Sequence, residues 1–428
     1  MKIFIILLLA LNLAFGESMK GNNVDFVVVN DVKIPLIFEL SNALPLGNIS
    51  IVFYGGGKIY ENKVGLSAFS TDILNRGSKK SGEIAFAEKL ESHAISLNVS
   101  NGMQSITFDL SFLKEKQNIA LELFDELLQS PNITRDAFNQ SKIALKSEIL
   151  ANENNFDFIA GKNLKEIMFK GTPLGESLDL QNIENISLSD IESFIKNALV
   201  LENAVILVGG DVNLSEIKTH LVALLESLPK GKKVEKMRFS PNAIPQDIIT
   251  KKPTKQAYIY FASPFDFESY EKDLHKVILM SFVMGGSGFG SRVMEEIRVK
   301  RGLAYSAYFS INVNNITSHT SGYLQTKLEN KDEAIKVLKQ VVSDFLRKGI
   351  TQKELQSAKD YILGSRVLSN ETLNQRLNKK FSNFNRNLAL NYDEILATKI
   401  KNISLDEINS YIKSHSEVAL LSFSIVVD

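Results

Sequence analysis

The sequence predicts an α+β protein built from two homologous, duplicated domains, each a largely antiparallel sheet covered by helices. Three observations lead there: the length of 428 residues, an internal repeat in one fixed register, and the alternation of helical and strand periodicities within each repeat. Single hydrophobic cores stop growing near roughly 250–300 residues, so a chain this long with 44% hydrophobic residues builds at least two.

The repeat is read directly. Asn185-Ile186-Ser187-Leu188 and the residues through Lys196 match Asn402-Ile403-Ser404-Leu405 through Lys413, 217 positions later. Ile133-Thr134 with Phe138 and Lys142 returns at the same offset as Ile350-Thr351 with Leu355 and Lys359, and Asp211 falls opposite Asp428. A period this long is a domain and not a solenoid unit.

Within the first repeat, Ala120, Leu123, Phe124, Leu127 and Leu128 recur at helical spacing, and Ser130-Pro131 ends that helix. Ala334, Leu338, Val341, Val342 and Phe345 trace the equivalent stripe in the second. Short β-rich runs surround them at 26–29, 49–53, 105–110, 204–208, 258–261 and 420–427. Pro229 to Pro253 is polar and proline-marked, giving domains over 17–228 and 254–428 joined by a linker over 229–253.

Composition narrows the function. Forty-nine basic residues balance 49 acidic ones, so nothing calls for a nucleic-acid partner. The densest basic run, Lys230, Lys232, Lys233, Lys236 and Arg238, reads as solvated linker. Lys2, the apolar stretch Ile3 to Leu11, and Ala14-Phe15-Gly16 read as a secretory signal over 1–16 with its cleavage site, and the apolar stretch is short for a membrane span. The absence of cysteine excludes disulfides and lipoprotein attachment. A periplasmic protein with no stable membrane anchor is the expectation.

The most specific block is Gly285-Gly286-Ser287-Gly288-Phe289-Gly290-Ser291-Arg292 through Glu296-Ile297-Arg298-Val299-Lys300-Arg301-Gly302-Leu303-Ala304-Tyr305. With Thr172-Pro173-Leu174-Gly175 and the run ending Val208-Gly209-Gly210-Asp211, it resembles the pitrilysin/insulinase (M16) family of zinc peptidases, in the smaller two-domain form, over essentially the whole mature chain. The resemblance implies two α+β domains folded toward each other, with a partner or second domain pair closing a peptide-holding chamber.

The same resemblance exposes a loss. In the family pattern His-x-x-Glu-His, the first histidine, the acid/base glutamate and the second histidine would fall at Ala68, Thr71 and Asp72. A hydrolytic zinc needs about three protein ligands and an open position for water. The five histidines, His93, His220, His275, His319 and His415, include no two within a helical turn. Glu148 falls near the family's distant glutamate ligand, but one carboxylate beside Asp72 makes a poor zinc site. No metal is expected in this chain, and His93 is read as an ordinary surface or helix-end histidine.

The Arg298 and Tyr305 pair is retained. Ser291 as N-cap, Glu295 and Glu296 early, Lys300 and Arg301 late, and Gly302 as stop put Arg298 at the end of a short helix and Tyr305 on the strand that follows. Spacing alone would make Arg298 a surface dipole partner and Tyr305 a core residue alternating with Ala307 and Phe309. The resemblance implies instead that both donate hydrogen bonds to substrate carbonyls or to an oxyanion. Gly285, Gly286, Gly288 and Gly290 lack the Lys-Ser/Thr of a phosphate loop, and read as a loop entering a helix. In family terms that loop contacts the peptide backbone.

The expected role is therefore the non-catalytic, substrate-binding subunit of a periplasmic zinc endopeptidase. Its partner would be a homologue bearing His-x-x-Glu-His and the zinc, and its substrate an unfolded peptide. The alternative is a scaffold or interaction protein of the same fold with no part in proteolysis. A self-sufficient metallopeptidase is disfavoured by the histidine inventory.

Overall fold

The computed structural model describes residues 24–428, so the signal-peptide reading of 1–16 lies outside the described residues. The first half contains β1 (Asp25–Val29), β2 (Val32–Leu40), β3 (Leu46–Tyr54), α1 (Leu66–Leu74), α2 (Gly82–Ser92), β4 (Ser96–Asn101), β5 (Ser105–Leu113), α3 (Gln117–Gln129), α4 (Arg135–Asn152), α5 (Phe156–Met168), α6 (Leu188–Ala198), β6 (Ala204–Gly210) and α7 (Leu214–Leu225). The second contains β7 (Asp247–Lys251), β8 (Gln256–Pro264), α8 (Tyr270–Ser281), β9 (Ala304–Val313), β10 (Ser318–Lys327), α9 (Lys331–Lys348), α10 (Gln352–Gly364), α11 (Leu373–Asn385), α12 (Tyr392–Asn402), α13 (Leu405–Ser414) and β11 (Ser422–Val427).

The sheets run β1-β2-β6-β3-β5-β4 and β7-β11-β8-β10-β9. Each is antiparallel except for one pair, β2 with β6 and β7 with β11. Strand β7 therefore occupies the place of β2, and the last part of the 229–253 segment is a sheet strand and not linker. The rest is a strap: the Leu201 N–H donates to the Pro229 carbonyl at 3.0 Å, and the Asn203 side chain bridges Lys232 O and Val234 N at 3.0 and 2.9 Å. Lys230, Lys232, Lys233, Lys236 and Arg238 of that segment remain exposed.

Helix starts carry the repeat into three dimensions. Thr134 and Thr351 cap α4 and α10, Ser187 and Ser404 cap α6 and α13, and Asn155 and Thr372 cap α5 and α11, each accepting a bond from a backbone N–H in the first turn. The predicted stripes on α3 and α9 are buried in two separate cores, one per half.

Two equivalent helices are exchanged between the halves. Helix α11 lies on β2 and β6 of the first sheet, where Leu377 packs with Ile37, Val52, Val205 and Leu207. Around it, Arg376 and Lys380 pair with Glu39 at 2.9 and 2.6 Å, and the Tyr54 hydroxyl donates to Asn385. Helix α5 lies on β8 and β11, and the Tyr260 hydroxyl donates to Asp157 at 3.0 Å while Asn163 donates to Thr250 at 2.9 Å. Each sheet thus has one face on its own core and half of the other under a helix from the opposite half.

Candidate functional site

Helix α1 carries the three positions at which the metal-binding motif would fall. Its start is held by the Glu61 carboxylate, which accepts from the Gly65 and Ser67 N–H groups at 3.0 and 2.9 Å and from the Ser67 hydroxyl at 2.9 Å. Leu66, Phe69, Ile73 and Leu74 anchor it in the core, with Phe69 stacked on Phe138 of α4 at 5.0 Å.

The residues present do not fit a zinc ion. Ala68 has no donor atom, and the buried Thr71 hydroxyl donates to the Ser67 carbonyl at 2.7 Å. Asp72 is held by Arg76, whose Nε and Nη2 both lie 3.0 Å from its Oδ1. Arg76 also reaches Ser141 at 2.7 Å and Glu83 at 3.1 Å. Glu148 is exposed on α4 and lines the same cavity of about 750 Å³ as Ala68, so the two positions are brought together without a second ligand. Among the described residues no group of three or more His, Cys, Asp or Glu side chains is placed to hold a metal ion. His93 is the residue that ends α2.

The corner carrying Arg298 and Tyr305 is built differently. Ser291 accepts from the Met294 N–H at 3.4 Å and starts a short helical stretch that widens into a π turn over Glu295–Val299, where the Lys300 N–H reaches the Glu295 carbonyl at 2.9 Å. Lys300 and Arg301 grip Glu296 at 2.6 and 2.5 Å and hold its carboxyl below the usual carboxylate range. Gly302, at φ +61°, supplies the left-handed stop.

Tyr305 enters β9 at a bulge. Ser306 pairs with Gln325 and Ala304 with Thr326, leaving Tyr305 as the extra residue. Ala304, Ala307 and Phe309 are buried at 6, 1 and 0% exposure, but Tyr305 is 79% exposed. Strict alternation into the core, the expectation from spacing alone, therefore fails at this one residue. The guanidinium carbon of Arg298 lies 4.6 Å from the centre of the Tyr305 ring. The fold thus brings the pair together where the π turn meets edge strand β9, with the phenol in solvent.

Of the glycines before this corner, Gly285 is buried against β9, where an added Cβ would meet the Phe309 N and O at 2.4 Å. Its role is close packing beneath the strand. Gly286, Gly288 and Gly290 stay at the surface. Two features escaped sequence reasoning: the Asp72–Arg76 pair, which an i, i+4 acid/base spacing could have signalled, and a row of tyrosines on the second sheet, whose members come from three strands and leave no local pattern.

Comparison with known proteins agrees with this geometry. Residues 48–180 match the family profile described as Insulinase (Peptidase family M16), and residues 185–362 match Peptidase M16 inactive domain. The chain is 38% identical over 429 residues to a Helicobacter pylori protein described as non-peptidase homolog YmxG, covering 100% of this chain and 98% of the relative. It is 22% identical to an uncharacterized zinc protease, YmxG, of Bacillus subtilis, over 78% of this chain and 81% of that one. Among solved structures, a peptidase M16 inactive domain from Pseudomonas fluorescens superposes with a TM-score of 0.85 at 23% identity, covering 94% of this chain and 97% of that one. A Helicobacter pylori protease gives 0.79 at 14% identity, over 95% and 100%. At such identities the structural likeness speaks for the fold alone.

Proposed function

Because the chain belongs to the M16 peptidase family, as a non-peptidase homologue, we propose that it is the non-catalytic, substrate-binding subunit of a zinc endopeptidase and lends Arg298 and Tyr305 to a composite site. The partner is a homologous subunit that carries His-x-x-Glu-His and the zinc, and the substrate is an unfolded peptide enclosed between the two. The leader read in residues 1–16 assigns the assembly to the periplasm.

One observation carries this reading: a bulge turns Tyr305 out of the core, to 79% exposure, beneath a guanidinium 4.6 Å away, while the three positions of the metal-binding motif are occupied by an alanine, a threonine bonded to the Ser67 carbonyl and an aspartate paired with Arg76. A guanidinium held over a ring brings a planar fork of N–H donors into the neighbourhood of the phenolic hydroxyl. Both groups can then donate to a peptide carbonyl oxygen that gains negative charge as acyl transfer proceeds. Metal and attacking water belong to the partner.

The test is affinity isolation of the mature protein from its cell envelope, identification of what accompanies it, and peptidase assay of the complex. The expected companion bears the intact histidine motif, and Arg298→Ala or Tyr305→Phe should lower turnover without dissolving the complex. Isolation with no such companion, or unchanged turnover in both variants, would leave the scaffold role in its place.

A further inference from the structure

The second sheet has an open half-face that the proposed role in holding peptide does not yet use. One face of the sheet rests on the core, and α5 covers β11 and β8 on the other, leaving β10 and β9 uncovered by that helix. There the register sets Tyr323 opposite both Tyr260 and Tyr308. The three rings form a row across three strands: centroids are 5.7 Å apart with planes at 23° for Tyr260 and Tyr323, and 6.0 Å apart at 31° for Tyr308 and Tyr323. Tyr308 and Tyr323 are 42 and 36% exposed.

This row lines a groove of about 640 Å³ whose opposite wall is α5, a size within the ~300–1,000 Å³ typical of ligand sites. Lys162 and Lys165 stand on that wall, and neither has an ion-pair partner among the described residues. His319 closes one end, with a buried Nδ1 that has no hydrogen-bond partner. The duplicated fold does not require such a surface. On the corresponding half of the first sheet the matching row is Ser50, Asp109 and Asn98.

We propose that this groove binds an extended peptide through an aromatic side chain laid on the Tyr308 and Tyr323 rings, with an adjacent carboxylate met by Lys162 and Lys165. The inference deepens the peptide-holding role proposed above and rests on it. Exposed phenol faces gain most from another flat apolar group, which keeps the hydroxyls in water while covering the rings. Unpaired ammonium groups across the groove select a negative neighbour and disfavour a basic one.

The test uses the full chain alone and fluorescence anisotropy with labelled ten-residue Gly/Ser peptides carrying one Trp-Asp, Ala-Asp or Trp-Asn pair. The Trp-Asp peptide should bind about tenfold tighter than the Ala-Asp peptide. Tyr308→Ala/Tyr323→Ala should abolish that preference and Tyr308→Phe/Tyr323→Phe should retain it, with circular dichroism verifying the fold of each. Lys162→Ala/Lys165→Ala should erase the advantage of Trp-Asp over Trp-Asn. Equal binding of the Trp and Ala peptides by the wild-type chain overturns the proposal. So does a preference for a neutral N-acetylglucosamine oligomer, or a dimer in solution that the double alanine variant dissolves. Because no partner is present, failure of the composite-site reading leaves this measurement intact, and failure here leaves Arg298 and Tyr305 to be judged on turnover.

Discussion

The guanidinium carbon of Arg298 sits 4.6 Å from the centre of the Tyr305 ring, and the contact depends on two departures from regular structure, a π turn under the arginine and a bulge under the tyrosine. Tyr305→Phe keeps the ring under the guanidinium and removes only the hydroxyl. In the reconstituted complex it should lower kcat about 100-fold, the scale of a lost oxyanion donor, with a smaller change in KM. Arg298→Lys should also lower kcat, because an ammonium lacks the planar fork of N–H donors that a guanidinium presents. Because Tyr305 is 79% exposed, Tyr305→Phe should move the denaturation midpoint by no more than about 0.5 kcal/mol of stability. Steady-state kinetics and urea titration of the same preparations check both halves of the prediction.

At the C-terminal end of α1 the Asp72–Arg76 pair does structural work in place of metal binding. The Arg76 side chain is 14% exposed and Asp72 29%, and Arg76 also serves the buried Ser141. Arg76→Ala leaves Asp72 and Ser141 without that donor and should cost about 2–3 kcal/mol. Asp72→Ala should cost less, since Arg76 keeps Glu83 at 3.1 Å. A double-mutant cycle by chemical denaturation should return a coupling of about 1–2 kcal/mol between them. A coupling near zero would mean the contact contributes nothing to stability.

How much of this was legible depends on how local the signal is. The caps at Thr134, Thr351, Ser187 and Ser404 could be read because an N-cap is decided within four residues, and the 217-residue offset aligned them. The stripes on α3 and α9 follow from period alone. Strand β2 was missed because Pro35 interrupts it, and β7 because it is five residues in a polar, proline-flanked stretch. The exchange of α5 and α11 could not be read, since an amphipathic face says that a helix is covered and not by which sheet. The outward turn of Tyr305 is a fact about pairing with β10, and nothing in the alternation Tyr305, Ala307, Phe309 announces it.

His319 gives the stability a pH dependence of defined sign. Burial pushes its imidazole down to about 4, with Lys165 acting in the same direction. The unfolded chain therefore binds a proton that the folded chain refuses between about pH 6.5 and 4. The associated stability is fully present above pH 6.5 and is lost as pH falls through that window, at up to about 1.4 kcal/mol per unit. His275, whose pKa burial also lowers, adds to the same trend. His319→Gln should flatten the curve of stability against pH between about 6.5 and 4.5 without abolishing it, as measured by urea titration across that range. An unaltered slope would place the proton uptake elsewhere.

The exchanged helices make the two halves mutually dependent, and a cut in the connecting strap tests this directly. Residues 229–246 form no helix or strand and carry exposed lysines, so limited digestion at Lys232 or Lys233 would yield one fragment retaining α5 and another retaining α11. Separation would strip α11 from Ile37, Val52, Val205 and Leu207, all no more than 5% exposed in the intact chain, and would strip α5 from β8 and β11. At about 1.5–3 kcal/mol per large side chain returned to water, the lost burial is comparable to the whole of ordinary domain stability. The nicked protein should therefore elute as one species on gel filtration, separate only in denaturant, and melt in a single transition. Leu377→Ala should weaken the nicked complex and destabilise the intact chain by about 2–5 kcal/mol, because the cavity opens at the centre of the α11 contact. Independent elution of two folded fragments would contradict this dependence and reduce the exchange to a contact of convenience.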